Sequence, residues 1–142
     1  VVSQWTSLLS VLEYHLEKMG WKYCVIDGNV PSHHRKDIIS VFNKDPKAAQ
    51  VMLLSMGAGG VGLNLKGANH LILLDIHWNP AMEAQVCDRI YRVGQQKPVF
   101  VHKLLCRGTI EDRVQQLQDR KRRLFNEVVP DPEAERGGGS NS

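Results

Sequence analysis

What this 142-residue chain lacks narrows its identity first. It has three cysteines, Cys24, Cys87 and Cys106, odd in number and far apart, with no Cys-x-x-Cys pair. A disulfide framework and a zinc site are therefore both unexpected, and buried free thiols in a reducing compartment fit better. His33 and His34 are adjacent, and neighbours on a helix point in different directions, which makes them a poor ligand pair. No apolar run approaches the roughly 20 residues that a membrane span requires. The opening Val1-Val2-Ser3-Gln4 carries neither an initiator methionine nor a signal-peptide pattern; it reads as a chain cut inside a strand, a piece of something longer. Neither sign of charge dominates. The net charge of +3 permits nucleic acid without demanding it. Internal repeats are absent too.

What is present is ordinary in bulk, with 42% hydrophobic and 23% charged residues, as in one globular domain with a real core. The pattern alternates helix and strand. Trp5, Leu8, Leu9, Leu12, Leu16 and Met19 form a helical apolar face stopped by Gly20. Lys22 to Ile26 reads as a strand. A helix after Pro31-Ser32 is expected to bury Ile38, Ile39, Val41 and Phe42. Strands follow at Val51–Leu54, His70–Asp75 and Val99–Cys106. A last helix opens on the capping-box-like Thr109-Ile110-Glu111-Asp112 and runs to about Val129. Its expected buried stripe is Ile110, Val114, Leu117, Leu124 and Val128, and Arg120 to Arg123 crowd its middle. Residues 130–142, rich in Pro, Glu, Gly and Ser, are expected to be disordered. Apolar strands alternating with helices predict an α/β fold, an open parallel sheet covered on both faces.

In such sheets ligands gather at the carboxyl ends of the strands. Ser55-Met56-Gly57-Ala58-Gly59-Gly60-Val61-Gly62-Leu63-Asn64-Leu65 lies at one such end, with a short helix expected after Gly57–Gly62, and its small residues allow a phosphate to approach the backbone. A Walker A loop is excluded because no Gly-Lys-Ser/Thr follows. Gly60-Val61-Gly62 begins a dinucleotide fingerprint, but Leu65 stands where its third glycine belongs. Tight packing alone is a third explanation.

The run from Asn79 to Gly94 carries the most chemistry. Read as one helix, it sets Arg89 roughly 40° from Gln85 and Arg92 roughly 20° to the other side. Met82, Val86, Ile90 and Val93 would be buried on a neighbouring face. A solvated stripe is the commoner explanation for two arginines on a helix. However, guanidinium forks suit a phosphate, and this chain has no loop to hold a nucleotide. The two facts are reconciled if the nucleotide sits on another domain and the arginines reach it as fingers.

These residues resemble a known family. Ala58 to Leu65, Asp75-Ile76-His77-Trp78-Asn79-Pro80, and Gln85 to Gln95 closely resemble the SWI/SNF-like ATPases, superfamily 2 helicase relatives. The likeness covers about residues 1–129 in order. Val1–Trp5 resembles the end of helicase motif IV. Asp27-Gly28 with Arg35 and Phe42-Asn43 resembles motif IVa, the glycine segment motif V, and the arginine run motif VI. Within the family the transcription termination factor 2 (lodestar) branch is the nearest likeness, with repair-type helicase-like factors close behind.

The resemblance implies a RecA-like fold, the carboxy-terminal helicase lobe, over residues 1–129. It implies ATP with Mg2+, bound mainly by an amino-terminal lobe of the same protein, and double-stranded DNA as partner. Arg89 and Arg92 would be the catalytic fingers, Arg92 foremost. Gln85, Gly59 and Gly60 would serve the nucleotide, while Trp78, Asn64 and Ser55 would serve DNA. Asp27 and Arg35 are expected to brace a turn rather than touch ligand. The setting would be nuclear, the task displacement of RNA polymerase or another complex from DNA or chromatin, with no membrane. The chain departs from the family at Gly57, where many relatives carry Lys or Arg, and at Val30-Pro31, where many carry Thr-Lys; altered DNA tracking is the expected consequence. Rival readings are a neighbouring remodelling or repair translocase, a non-catalytic DNA- or protein-binding module, and a nucleotide-cofactor oxidoreductase resting on Gly60-Val61-Gly62 alone.

Overall fold

The computed structural model describes residues 1–58 and 62–128. Gly59, Gly60 and the tail at 130–142 lie outside the described residues. The short helix expected after the glycine segment is not formed, since residues 62–69 are coil and turn. The chain alternates as expected: β1 (Val2–Ser3), α1 (Thr6–Lys18), β2 (Tyr23–Ile26), α2 (Ser32–Lys44), β3 (Val51–Ser55), β4 (His70–Leu73), α3 (Pro80–Ile90), β5 (Phe100–Lys103) and α4 (Ile110–Val128). The strands form one sheet in the order β2-β3-β1-β4-β5. Every pairing is parallel, so the connections cross over; α1, α2 and α3 supply three of them, while no α-helix stands between β3 and β4 among the described residues.

The core follows from side-chain alternation along β3. Leu53 packs with Leu9 and Leu16 of α1 on one face. Met52 and Leu54 face the other way, against Ile39 and Phe42 of α2 and Val86 and Ile90 of α3. Two-residue β1 lies at the centre and is stapled by polar contacts. Ser3 Oγ donates to Asp75, and the Gln4 amide donates to the same carboxylate at 3.0 Å. Both Ser3 and Asp75 are buried, so each satisfies the other where water cannot reach.

Several expected burials are not found. Trp5, Leu8 and Met19 are exposed on α1, and Val41 is exposed on α2; Val41 lies about 200° around the helix from buried Ile39. Coverage of both sheet faces fails at the edge, where Phe100 and Val101 of β5 are about half exposed. The His33 and His34 rings stand 4.1 Å apart instead of pointing apart, since exposed first-turn side chains have no earlier turn to confine them.

The largest departure is α4. Its start is built as read: Thr109 Oγ1 accepts from the Glu111 amide at 3.2 Å, and Asp112 accepts from Gly108 N at 2.7 Å. Its apolar stripe, however, is uncovered, with Ile110, Leu117, Leu124 and Val128 exposed and Val114 partly so. The one buried residue of α4 is Gln118.

Candidate functional site

Helix α3 has two ends, and the chemistry divides between them. At the amino end Asn79 caps the helix, its side chain accepting from Ala81 N at 3.2 Å. Pro80 takes the first position and Glu83 lies in the first turn, a sequence well suited to begin a helix. The carboxy end comes sooner than the sequence pattern suggests. The last helical residue is Ile90, and Tyr91 leaves helical geometry with ψ 74°. Arg92 therefore sits outside the helix, and the single stripe of Gln85, Arg89 and Arg92 is not formed. Val93, expected in the core, is 94% exposed. Gly94, at φ +93°, marks the turn that replaces another helical turn, because only glycine adopts that region readily.

That turn is well tied down. Arg92 N donates to Ile90 O at 3.1 Å, and Gln95 N donates to Arg92 O at 3.0 Å. The Gln95 side-chain amide donates to Ala68 O at 2.9 Å and more weakly to Ile90 O at 3.4 Å. Its oxygen accepts from Lys97 N at 3.2 Å. Gln95 thereby joins the turn to the segment that enters β4. Arg92 is exposed on it, and Arg89 is half-buried on the last turn of α3. The Arg89 carbonyl accepts from Leu65 N at 3.0 Å, so the chain leaving the glycine segment is pinned to the arginine region. Gln85 is exposed one turn earlier on α3.

At the other end, near the carboxyl ends of β3 and β4, lie Trp78 and Ser55, both expected to meet DNA; Asn64, expected to do the same, precedes Leu65 on the arginine side. Trp78 is 56% exposed, and the ammonium of Lys121 from α4 lies 4.1 Å from its ring centroid. Asn64 is half-buried; its backbone oxygen accepts from the Asn43 side chain at 2.7 Å, and its side-chain oxygen has no hydrogen-bond partner. Ser55 is buried, and its hydroxyl accepts from Ala58 N at 3.3 Å. It serves the turn leaving β3, and its side chain is enclosed there. Arg35 does brace motif IVa as expected, donating to Val30 O at 2.7 Å and to Asp27 O at 3.1 Å.

Sequence reasoning missed a buried polar cluster beneath Trp78. Glu83 is 2% exposed and forms an ion pair with Lys103 at the end of β5. Its Oε1 accepts from the His77 amide at 3.0 Å and from Gln118 Nε2 at 2.7 Å. Gln118 also donates to the His77 carbonyl. The signal was available in the sequence: Glu83, Val86 and Ile90 share the inward stripe of α3, so a carboxylate interrupts an apolar face. Cys87 beside this cluster is half-buried. Burial raises its thiol above the usual value, which keeps it protonated and poorly nucleophilic at neutral pH.

Among the described residues no group of three or more His, Cys, Asp or Glu could hold a metal. No helix there is long and apolar enough to cross a membrane. The arrangement offers forked cations at one end of a helix and an exposed aromatic with a lysine at the other. The sequence has no Gly-Lys-Ser/Thr loop for a nucleotide.

Comparison with known proteins gives this arrangement a family. Residues 1–94 match the helicase conserved C-terminal domain. The chain is 53% identical over 129 residues to transcription termination factor 2 of Drosophila melanogaster, covering 91% of this chain and 12% of that protein. It is 43% identical over 129 residues to the DNA repair and recombination protein RAD54B of Homo sapiens, covering 91% and 14% respectively. Among solved structures, the C-terminal part of the Fun30 ATPase domain superposes with a TM-score of 0.78 at 36% identity, covering 82% of this chain and 37% of that one. The chain thus spans only a small part of the curated relatives it matches. The RecA-like parallel sheet is accordingly that of a helicase lobe, and the chain belongs to the helicase conserved C-terminal domain family in its SWI/SNF-like superfamily 2 branch.

Proposed function

We propose that residues 1–129 act as the second RecA-like lobe of an ATP-dependent double-stranded DNA translocase. ATP with Mg2+ is bound mainly by an amino-terminal lobe of the same protein. When the lobes close, Arg92 and Arg89 reach the γ-phosphate, and their guanidiniums stabilise charge on the transferring phosphoryl group. Gln85, Gly59 and Gly60 help close the nucleotide site, while Trp78 and Asn64 bear on DNA. Alternating closure and release moves the lobes along one strand and displaces RNA polymerase or another complex, in the nucleus.

The observation that carries this reading is the Arg92 turn. A solvent-exposed arginine on a loop would ordinarily wander, yet this loop is tied by the Gln95 side chain to Ala68 O and to the end of α3. Rigid presentation of an exposed cation suits a group meant for a partner surface. Duplex DNA fits the names of the relatives, a transcription termination factor and a DNA repair and recombination protein.

The test is Arg92→Ala in the protein carrying both lobes. ATP turnover should fall by about 10³-fold or more while DNA binding persists. Near-normal turnover would remove the finger role, and an unaltered two-lobed protein without DNA-stimulated hydrolysis would leave a binding module as the better reading.

A further inference from the structure

We propose that two residues of α4, Gln118 bound to buried Glu83 and the His77 carbonyl and Lys121 over the Trp78 ring, are positioning residues that hold Trp78 in its exposed pose. The proposal rests on the reading of Trp78 as a DNA contact and extends it to the element that sets its position.

The backbone on both sides of Trp78 is clamped. His77 is held at both of its main-chain polar groups, its amide by Glu83 and its carbonyl by Gln118. Asn79 is held by its amide, which donates to His77 Nδ1 at 3.0 Å, and by its cap on α3. Trp78 is the exposed residue between two fixed ones, and the Lys121 ammonium over its ring restrains the side chain itself. Gln118 and Lys121 are three residues apart and so share a face of α4. That one face supplies both restraints.

The way α4 is attached makes this more than local packing. With its apolar stripe exposed and Gln118 its one buried residue, α4 meets the lobe through polar contacts rather than an apolar core. Gln118 is fully buried with its donor shared between two acceptors and its oxygen unpartnered. A helix seated only for stability would place leucine there, because an unpartnered buried oxygen costs free energy. The glutamine makes sense as a device that fixes the His77 carbonyl. Glu83, paired with Lys103, gives that device a fixed anchor on α3 and β5. The position of α4 and the pose of Trp78 are therefore coupled.

The test compares Gln118→Leu, Lys121→Met, Trp78→Ala and the double variant Gln118→Leu with Trp78→Ala, in the protein carrying both lobes. Three readouts are used: amide hydrogen exchange across residues 75–80, the DNA concentration for half-maximal ATPase stimulation, and DNA-independent ATPase. Gln118→Leu should speed exchange at His77 and raise the half-maximal DNA concentration by roughly fivefold, the scale of the hydrogen bonds lost. DNA-independent hydrolysis should stay unchanged. Lys121→Met should act in the same direction by about two- to fivefold. In the Trp78→Ala background Gln118→Leu should add less than about twofold, because coupled sites are not additive. Unchanged exchange and DNA dependence in Gln118→Leu, or its full effect persisting without Trp78, would overturn the proposal. Should Gln118→Leu fail to fold, exposed Lys121 decides the matter, and no effect of Lys121→Met would count against it. A Trp78→Ala protein with normal DNA dependence would instead remove the DNA reading of Trp78, leaving hydrogen exchange to judge the positioning.

Discussion

The two ends of α3 are held by different means. At the amino end, Trp78 rises above a buried polar cluster that links Glu83, Lys103, Gln118 and His77 and leaves the Gln118 oxygen unpartnered. At the carboxy end, Arg92 rides on an exposed turn secured by one glutamine side chain and one glycine of positive φ. The helix between them has eleven residues, a length of about 16 Å at 1.5 Å per residue. Under the proposed function, a rigid rod of that length would hold the group that meets nucleotide and the group that meets DNA in fixed relation. The contrast teaches that the deep end is costly to disturb, whereas the shallow end should be adjustable without unfolding the lobe.

The comparison can be broken at either end, and the expected effects differ in size. The largest belongs to Arg92→Lys, which keeps the charge and loses the planar fork. Steady-state hydrolysis by the two-lobed protein should lose most of the ~10³-fold finger contribution, with the melting temperature unchanged. Next comes Lys103→Met, which leaves Glu83 as a buried charge without its partner. Chemical denaturation should show a loss of about 3–5 kcal/mol. Gly94→Ala is milder, since the cost of placing a side chain at φ +93° is on the order of 1–3 kcal/mol. A Cβ there would also lie 2.7 Å from Lys66 Nζ, the mobile tip of a long side chain. It should lower turnover while leaving the DNA concentration for half-maximal stimulation unchanged. The smallest effect is chemical. Exposed Cys106 should react with a thiol reagent well before half-buried Cys24 and Cys87. Burial pushes the Cys24 thiol up to about 11, so its labelling should stay slow until the pH nears that value.

The alternation of elements was legible because apolar strands and amphipathic helices have different periods. The glycine segment and the Asn79-Pro80 helix start were legible for local chemical reasons. The end of α3 was not. Apolar residues at Val86, Ile90 and Val93 keep the helical spacing past the true terminus, so the pattern ran one turn too far and put Arg92 on the wrong element. The α4 stripe shows the converse limit: its periodicity is real, but periodicity does not say whether a surface lies opposite. Glu83 and Gln118 read as solvent-facing by type, and only their position on inward stripes marks them as buried. Among the candidate site residues, Arg89, Gln85 and Trp78 stand on or beside α3 as expected, whereas Ser55 is enclosed by its own turn.

The account stands or falls on whether the two ends of α3 do different jobs. The direct measurement is ATP turnover and DNA affinity for Arg92→Ala beside Trp78→Ala in the protein carrying both lobes. Arg92→Ala should lose turnover by about 10³-fold or more at unchanged DNA affinity, and Trp78→Ala should weaken DNA dependence while DNA-independent hydrolysis continues. Normal hydrolysis by Arg92→Ala, or the same parameter failing in both variants, would contradict it.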